Sequence, residues 1–347
     1  MRSFVDLDHT FGGQPRELGA LLARIDTGRG QERLFVDQMP ELLGQLSEHA
    51  RIASITASNA IEGVVLDGER AERIAEGGRR LRNRNEREFA GYRDAADILI
   101  HLDVYEPLSL PFVLHLHRQL FHHTDGHSGH LKTDQNLIVS YESGRREVVF
   151  TPPPPQDTEF LLTELLARYN NAKREARTHP LVLTGALILD FLAIHPVADG
   201  NGRLARLLTM HELLAQGYRV ARYVSVEQRI YETKNSYYAS LYESQRDWHQ
   251  GEHDIWPWTS YLARVLADAY DDFEQRLAAA GKRIGSKQDR VRDFILRQAP
   301  PEFRRRDIER ALPGLSTATI RLVLNELRDT QKIRSEGSGP SARWHRL

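Results

Sequence analysis

Leu189-Asp190-Phe191-Leu192-Ala193-Ile194-His195-Pro196-Val197-Ala198-Asp199-Gly200-Asn201-Gly202-Arg203-Leu204-Ala205-Arg206 is the stretch that decides how this chain is read. An apolar helix runs into His195-Pro196 and stops, because proline disfavours helical geometry in the residue before it. A tight loop follows, and a second helix opens near Asn201. Gly200 and Gly202 remove side chains where the backbone must approach something closely. The first N–H groups of a helix are unpaired and partly positive, so such an opening accepts anions, phosphate above all. Arg203 and Arg206 lie three apart on one helical face, within reach of one polyphosphate. Asp199 can hold the Mg²⁺ that accompanies a nucleotide. His195, with an ordinary pKa of about 6.5, can take a proton from an incoming hydroxyl. Taken singly, these residues have ordinary explanations as a helix end and a turn. Together they are the parts for attack on a phosphate.

Outward from this stretch the periodicity is mostly helical. Helices are predicted after Pro15 (Leu18, Leu21, Leu22 and Ile25 on one face), from Phe35 to about Ala60, over Asn83–Leu102, and over Leu108–Phe121. More follow over Asp157–Ala172, Pro180–Ile194, Ser236–Gln250 and Pro257–Ala280. Residues before Pro15 read as an irregular lead-in. Gly126, Gly129, Gly144 and the run Pro152–Pro155 exclude long helix from His122 to Pro155. Within that span Asn136–Tyr141 and Glu147–Phe150 flank Ser143-Gly144 and read as a β-hairpin.

Gly281–Lys287 reads as a linker. After it come helices over Asp289–Gln298 and Arg304–Leu312, a Pro313-Gly314 turn, and a helix capped by Ser316. Lys332-Ile333-Arg334 and Ala342-Arg343-Trp344, across a Gly-Ser-Gly-Pro turn, read as a β-wing. The expected fold is therefore mainly α, with a hairpin in the helical core and a small C-terminal winged helix-turn-helix domain. The expected domains are an N-terminal helical region (1–106), a catalytic core (107–280), and a linker with the small domain (281–347).

Charge follows the same division. Ser286–Leu347 carries 14 Lys+Arg against 8 Asp+Glu, a net +6, on a body of net −7. A basic tail points to an anionic partner. The 347 residues contain no cysteine, which removes disulfide and thiolate chemistry. No apolar run approaches the roughly 20 residues of a membrane span, and the first residues lack a signal peptide's apolar centre. A cytoplasmic setting is expected.

His195, Pro196, Asp199, Gly200, Asn201, Gly202, Arg203 and Arg206 match the signature of the Fic family, and the chain resembles that family, more weakly, over roughly residues 30–270. It departs at Val197, where the family usually has a core-packing Phe. The resemblance implies transfer of AMP from ATP to a Ser, Thr or Tyr hydroxyl of a protein. It makes His195 the general base and Asp199 the Mg²⁺ ligand. Gly200, Asn201, Gly202 and Arg203, with Leu204 and Ala205 in the same turn, would hold the α- and β-phosphates, and Arg206 the γ-phosphate. A kinase branch of the family has Lys where this chain has Gly202, which favours AMP transfer.

Other segments fit the same resemblance. Asn136, Leu137, Ile138 and Val139 are similar to a flap that docks a target strand by β-augmentation. Tyr237 and Tyr238 match a tyrosine pair near the adenine, and Gln245 is placed near the nucleotide. Ser58-Asn59-Ala60-Ile61-Glu62-Gly63 is similar to the family's inhibitory helix motif. A bidentate Glu62–Arg206 pair would take the γ-phosphate's partner. The implied cofactors are ATP and Mg²⁺. The implied partners are a target protein, the chain itself included, and a second copy in a homodimer. Two alternatives stand beside this reading: removal of AMP by the same site, and DNA binding by the basic tail.

Overall fold

The computed structural model describes residues 2–36, 39–78, 80–124, 128–142, 145–283, 287–337 and 342–347. Gly126, the Ser143-Gly144 turn, the middle of the expected linker (284–286) and the Ser-Gly-Pro part of the second turn (338–340) lie outside the described residues. Two compact units are present, Met1–Phe273 and Glu274–Leu347. The first takes in helices from both sides of residue 106. Among the described residues no helix is long and apolar enough to cross a membrane.

In the first unit a short 3₁₀ turn (Arg2–Phe4) precedes α1 (Leu7–Phe11), α2 (Arg16–Val36), α3 (Pro40–Ile61), α4 (Gly68–Ala75), α5 (Arg84–Ile100) and α6 (Leu110–Leu120). The antiparallel hairpin β1 (Ile138–Glu142) and β2 (Arg145–Phe150) comes next. Then follow α7 (Pro155–Glu175), α8 (Pro180–Ile194), α9 (Asn201–Ala215), α10 (Val220–Tyr223), α11 (Val226–Glu232) and α12 (Lys234–Gln245). The long α13 (Trp256–Arg283) begins in this unit and ends in the next.

The unit is built around α8. Every residue from Leu181 to Ile194 is buried, so its unbroken apolar run reflects cover on all sides. α7, α9 and α12 pack against it. Asp190 is the charge within that run. It accepts hydrogen bonds from Ser3 N–H (3.0 Å), Ser3 Oγ (2.8 Å) and Trp248 Nε1 (2.7 Å). The lead-in expected to be irregular is therefore a 3₁₀ turn plus α1, ordered because a buried carboxylate needs its donors.

Other boundaries moved for local reasons. The helix expected from Phe35 begins at Pro40, which sits in the first turn where its missing N–H costs nothing. Phe35 belongs to the end of α2. Pro155, last of four prolines, opens α7 in the same way. α12 stops at Gln245 rather than Gln250, and Asp247 just beyond takes a positive φ of 54°. α4, α10 and α11 are short and lay below the reach of periodicity.

In the second unit α14 (Lys287–Asp293) runs on into a π-helical turn (Phe294–Gln298). β3 (Glu302–Arg304), α15 (Arg305–Ala311), α16 (Thr317–Asp329), β4 (Ile333–Glu336) and β5 (Arg343–Arg346) complete it. The strands form an antiparallel sheet in the order β3-β5-β4. The expected pairing of β4 with β5 is present, and β3 is a third strand that three residues were too few to announce. Ser316 caps α16 by accepting Thr319 N–H (3.1 Å). Ile308, Ile320, Val323, Leu324, Leu327 and Trp344 are buried together in its core.

One close approach in the first unit is testable. Gly91 of α5 faces α6 so tightly that a Cβ there would collide with the carbonyl oxygen of Leu120. Gly91→Ala should destabilise the protein by about 3 kcal/mol, the upper end of overpacking costs, because backbone cannot step aside. Chemical denaturation measures this, and an unchanged midpoint would contradict the packing.

Candidate active site

The loop between α8 and α9 opens with a residue in an unusual conformation. His195 takes φ 51° and ψ 61°, the left-handed region that non-glycine residues enter only at a cost. Its N–H donates to Phe191 O (3.0 Å), and its Nδ1 lies 3.1 Å from Leu192 O. A carbonyl can only accept, so Nδ1 carries the proton and Nε2 keeps a lone pair. Burial lowers the His195 pKa to about 4, with the Lys132 ammonium adding to the effect and the Leu192 carbonyl opposing it. The imidazole is thus a neutral base at neutral pH.

Four consecutive loop carbonyls are held from outside by two residues just before β1. Lys132 Nζ donates to Ile194 O (3.0 Å) and Lys132 N–H to Pro196 O (2.9 Å). Asn136 Nδ2 donates to His195 O (3.0 Å) and Val197 O (3.1 Å). Lys132 Nζ also donates to Asn136 Oδ1 (3.0 Å), which fixes the amide's orientation. Burial lowers the Lys132 pKa to about 8. Asn136, expected in the target-docking flap, therefore spends its side chain on the loop instead.

The second half of the loop is closed by Asn201. Its Oδ1 accepts Val197 N–H (3.1 Å) and its Nδ2 donates to Val197 O (2.7 Å). Val197, in place of the usual Phe, is fully buried. What Asn201 can offer an anion is its backbone N–H, along with those of Gly202 and Arg203. α9 has Gly200 at its N-cap and no side-chain cap, so these amides lack helical partners. Gly200 takes φ 85°, and a Cβ there would press on the Phe121 ring. Leu204 and Ala205 are different: their side chains are buried, and Leu204 N–H already donates to Gly200 O (2.9 Å). The Asp199 carboxylate is 63% exposed, 3.7 Å from Arg84 and 4.0 Å from Arg203. His117 Nε2 lies 3.2 Å from Asp199 O, while Gly129 N–H donates to Nδ1 (3.0 Å), so both ring nitrogens of a neutral imidazole are used.

The two arginines of α9 are both buried, and each has a carboxylate. Arg203 Nη1 donates to Glu88 Oε2 (2.8 Å), and the Arg203 guanidinium stands 5.1 Å from the Phe121 ring centroid. Arg206 is gripped by α3. Its Nε donates to Ser58 Oγ (2.8 Å), and its Nη2 to Ser58 O (3.0 Å) and Glu62 Oε1 (2.8 Å). The pair with Glu62 thus uses one carboxylate oxygen and is not the bidentate fork expected, because Ser58 already fills the Nε edge. Arg206 Nη1 is buried without a hydrogen-bond partner among the described residues. Burial would raise the Glu62 pKa, but Arg206, with Arg203 and Lys234, holds it below the usual carboxylate value. A Cβ on Gly202 would collide with Glu62 Oε1, so this carboxylate lies over the open end of α9. Lys234 Nζ secures the end of α3 by donating to Ile61 O (2.7 Å).

The tyrosine pair divides. Tyr237 is buried among the rings of Tyr238, Trp258 and Tyr261, at 5.0, 5.6 and 6.0 Å, with its hydroxyl beside Arg206. Tyr238 is exposed. Gln245 is buried and lines a groove with Phe150 and Trp248. Leu137 is exposed, and Ile138 and Val139 begin β1, which pairs only with β2 among the described residues.

Residues 107–213 match the family described as Fic: Fic/DOC family. A Fido domain-containing protein of Dictyostelium discoideum is 27% identical over 139 residues, covering 39% of this chain and 90% of that protein. The protein adenylyltransferase Fic of Drosophila melanogaster is 28% identical over 112 residues, covering 32% of this chain and 21% of its own length. The match thus spans about a fifth of the Drosophila chain. The structure of a Fic family protein from Desulfovibrio desulfuricans superposes with a TM-score of 0.63 at 24% identity, covering 96% of both chains. Fic-1 from Caenorhabditis elegans superposes with a TM-score of 0.58 at 21% identity, covering 74% of this chain and 71% of that one. Residues 107–213 are thus similar to the Fic/DOC family, and the chain shares the mainly helical fold of solved Fic proteins along nearly its whole length.

Sequence reasoning did not find Lys132, Glu88, His117 or Lys234. Each is an ordinary polar residue far along the chain from its partner, with no local pattern to single it out. Lys132 can be tested directly. Lys132→Met leaves the Ile194 carbonyl and the Asn136 side-chain oxygen without their donor, at about 1–3 kcal/mol each. It also removes the neighbouring cation. In the wild type, NMR titration of the imidazole should place the His195 midpoint near 4, and the variant should titrate at higher pH. The folded His195 binds its proton less readily than the unfolded one. Its contribution to stability is therefore complete above about pH 6.5 and is lost as pH falls through about 4. An ordinary His195 midpoint in the wild type would refute the buried, neutral base.

Proposed function

We propose that the first unit transfers AMP from ATP to a Ser, Thr or Tyr hydroxyl of a target protein, and that Glu62 holds it off at rest. The observation that carries the proposal is the Glu62–Arg206 contact over the open end of α9, at the place an anionic substrate group would take. The Drosophila relatives named as protein adenylyltransferases support the reaction class.

In this reading the unpaired amides of Asn201, Gly202 and Arg203 receive phosphate oxygens. Arg206, with an unsatisfied Nη1, neutralises the far end of the chain of phosphates. The target hydroxyl oxygen forms a bond to the α-phosphorus. The bond from that phosphorus to the bridging oxygen breaks, and diphosphate leaves. The hydroxyl proton passes to His195 Nε2. Asp199 is the carboxylate available to Mg²⁺. Among the described residues no cluster of three metal-ligating side chains surrounds it. A single exposed carboxylate suits an ion that keeps most of its waters and arrives on phosphates. When bound, that ion would offset phosphate charge.

The outer edge of β1 at Ile138 and Val139, with Leu137 just before it, offers backbone groups to an extended target segment. Asn136 and Lys132 then set where that segment lies relative to His195. Tyr238 is the member of the tyrosine pair left to meet the adenine.

Incubation with α-labelled ATP and a cell lysate tests both parts. Glu62→Gly should raise label transfer about tenfold or more over wild type, the worth of a charged hydrogen bond. His195→Ala in the Glu62→Gly background should abolish it. No label from Glu62→Gly would overturn the transferase reading. Equal label from wild type and variant would overturn the inhibition alone.

A further inference from the structure

We infer that the second unit binds duplex DNA through the exposed faces of α15 and α16. The inference rests on a charge account within that unit and does not depend on the reaction proposed for the first.

Between Arg290 and Arg346 each Asp and Glu side chain is engaged. Asp293 pairs with Arg297, Glu302 with Arg343, Glu309 with Arg305, Glu326 with Arg292, Asp329 with Arg328, and Glu336 with His345. Asp307 accepts Arg304 N–H (2.8 Å) at the start of α15. Arg290, Arg306, Arg310, Arg321, Lys332 and Arg334 are left with no carboxylate partner among the described residues, and all six are exposed. The net positive charge of this segment is therefore not spread through internal pairs. It remains on the surface as uncompensated cations, and a polyanion is the partner that fits them.

The helices supply the shape. α16 buries Ile320, Val323, Leu324 and Leu327, and the opposite face shows Ala318, Arg321, Leu322 and Asn325. Arg321 and Asn325 stand one turn apart on that face. Arginine reads guanine and asparagine reads adenine bidentately, and an alanine such as Ala318 can make apolar contact with a thymine methyl. Thr317 Oγ1 donates to Glu309 Oε1 (3.3 Å), which ties the start of α16 to α15. On α15, Arg306 and Arg310 are exposed one turn apart, suited to phosphates flanking the groove. B-form DNA has a major groove wide enough for a helix, whereas A-form RNA does not.

The test uses the full chain and a labelled 24-base-pair duplex of mixed sequence, with fluorescence anisotropy across salt concentrations. Binding should weaken roughly a thousand-fold between 50 and 200 mM salt, as expected for about six phosphate contacts. Arg306→Ala and Arg310→Ala should each lower the salt slope by about 1. Arg321→Ala should weaken binding and relax any sequence preference. These exposed substitutions should leave the circular dichroism unchanged. No binding at 50 mM salt, equal affinity for the Arg306/Arg310/Arg321→Ala variant, or equal affinity for single-stranded RNA or polyglutamate would overturn the inference.

Discussion

Four carbonyl groups in a row, from Ile194 to Val197, cannot serve a helix, and the site depends on what they do instead. A buried carbonyl without a donor is costly. Here the donors come from Lys132 and Asn136, with Asn201 closing the loop from the other side. That arrangement keeps His195 in a left-handed conformation it would not hold unaided. It also leaves α9 to begin with bare amides. A base with a free lone pair and an anion-seeking helix end are thus two results of one hydrogen-bonding arrangement.

The electrostatics of the site follow from burial. Arg203 and Arg206 are almost completely removed from solvent, and a guanidinium in that position demands a counter-charge. Glu88 answers for Arg203 from within the α5 scaffold. Glu62 answers for Arg206 from the end of α3 while remaining one-third exposed itself. The two pairs therefore differ in kind. One is locked in the core, and the other lies where solvent and a competing anion can reach it.

The divide between what could be read in the sequence and what could not follows the range of the interactions. Pro196, Gly200 and Gly202 announce a helix end and a bare helix start within a few residues, so the loop was legible. The Ser58–Gly63 motif resembles an inhibitory helix end, so a Glu62–Arg206 pair was legible once that loop was placed, whereas Ser58's own hold on Arg206 was not. The single-oxygen geometry was not, because it depends on Ser58 reaching Nε first. Lys132 lies 62 residues from Ile194, and Glu88 lies 115 from Arg203. Nothing local distinguishes them from surface charges. The same holds for the N-terminal turn, whose order comes from Asp190 far along the chain.

The division of labour on Arg206 sets the scale of any switch. Ser58 holds the guanidinium by its side chain and by its backbone, and both contacts are independent of Glu62. Swinging the Glu62 carboxylate away would leave the arginine aimed and the helix intact, with Lys234 still on the Ile61 carbonyl. A switch built on that contact would work by rotamer exchange in a single side chain, on a timescale far faster than domain movement. It can also be tuned in small steps, since each neighbour that favours one rotamer shifts the resting balance without rebuilding the scaffold.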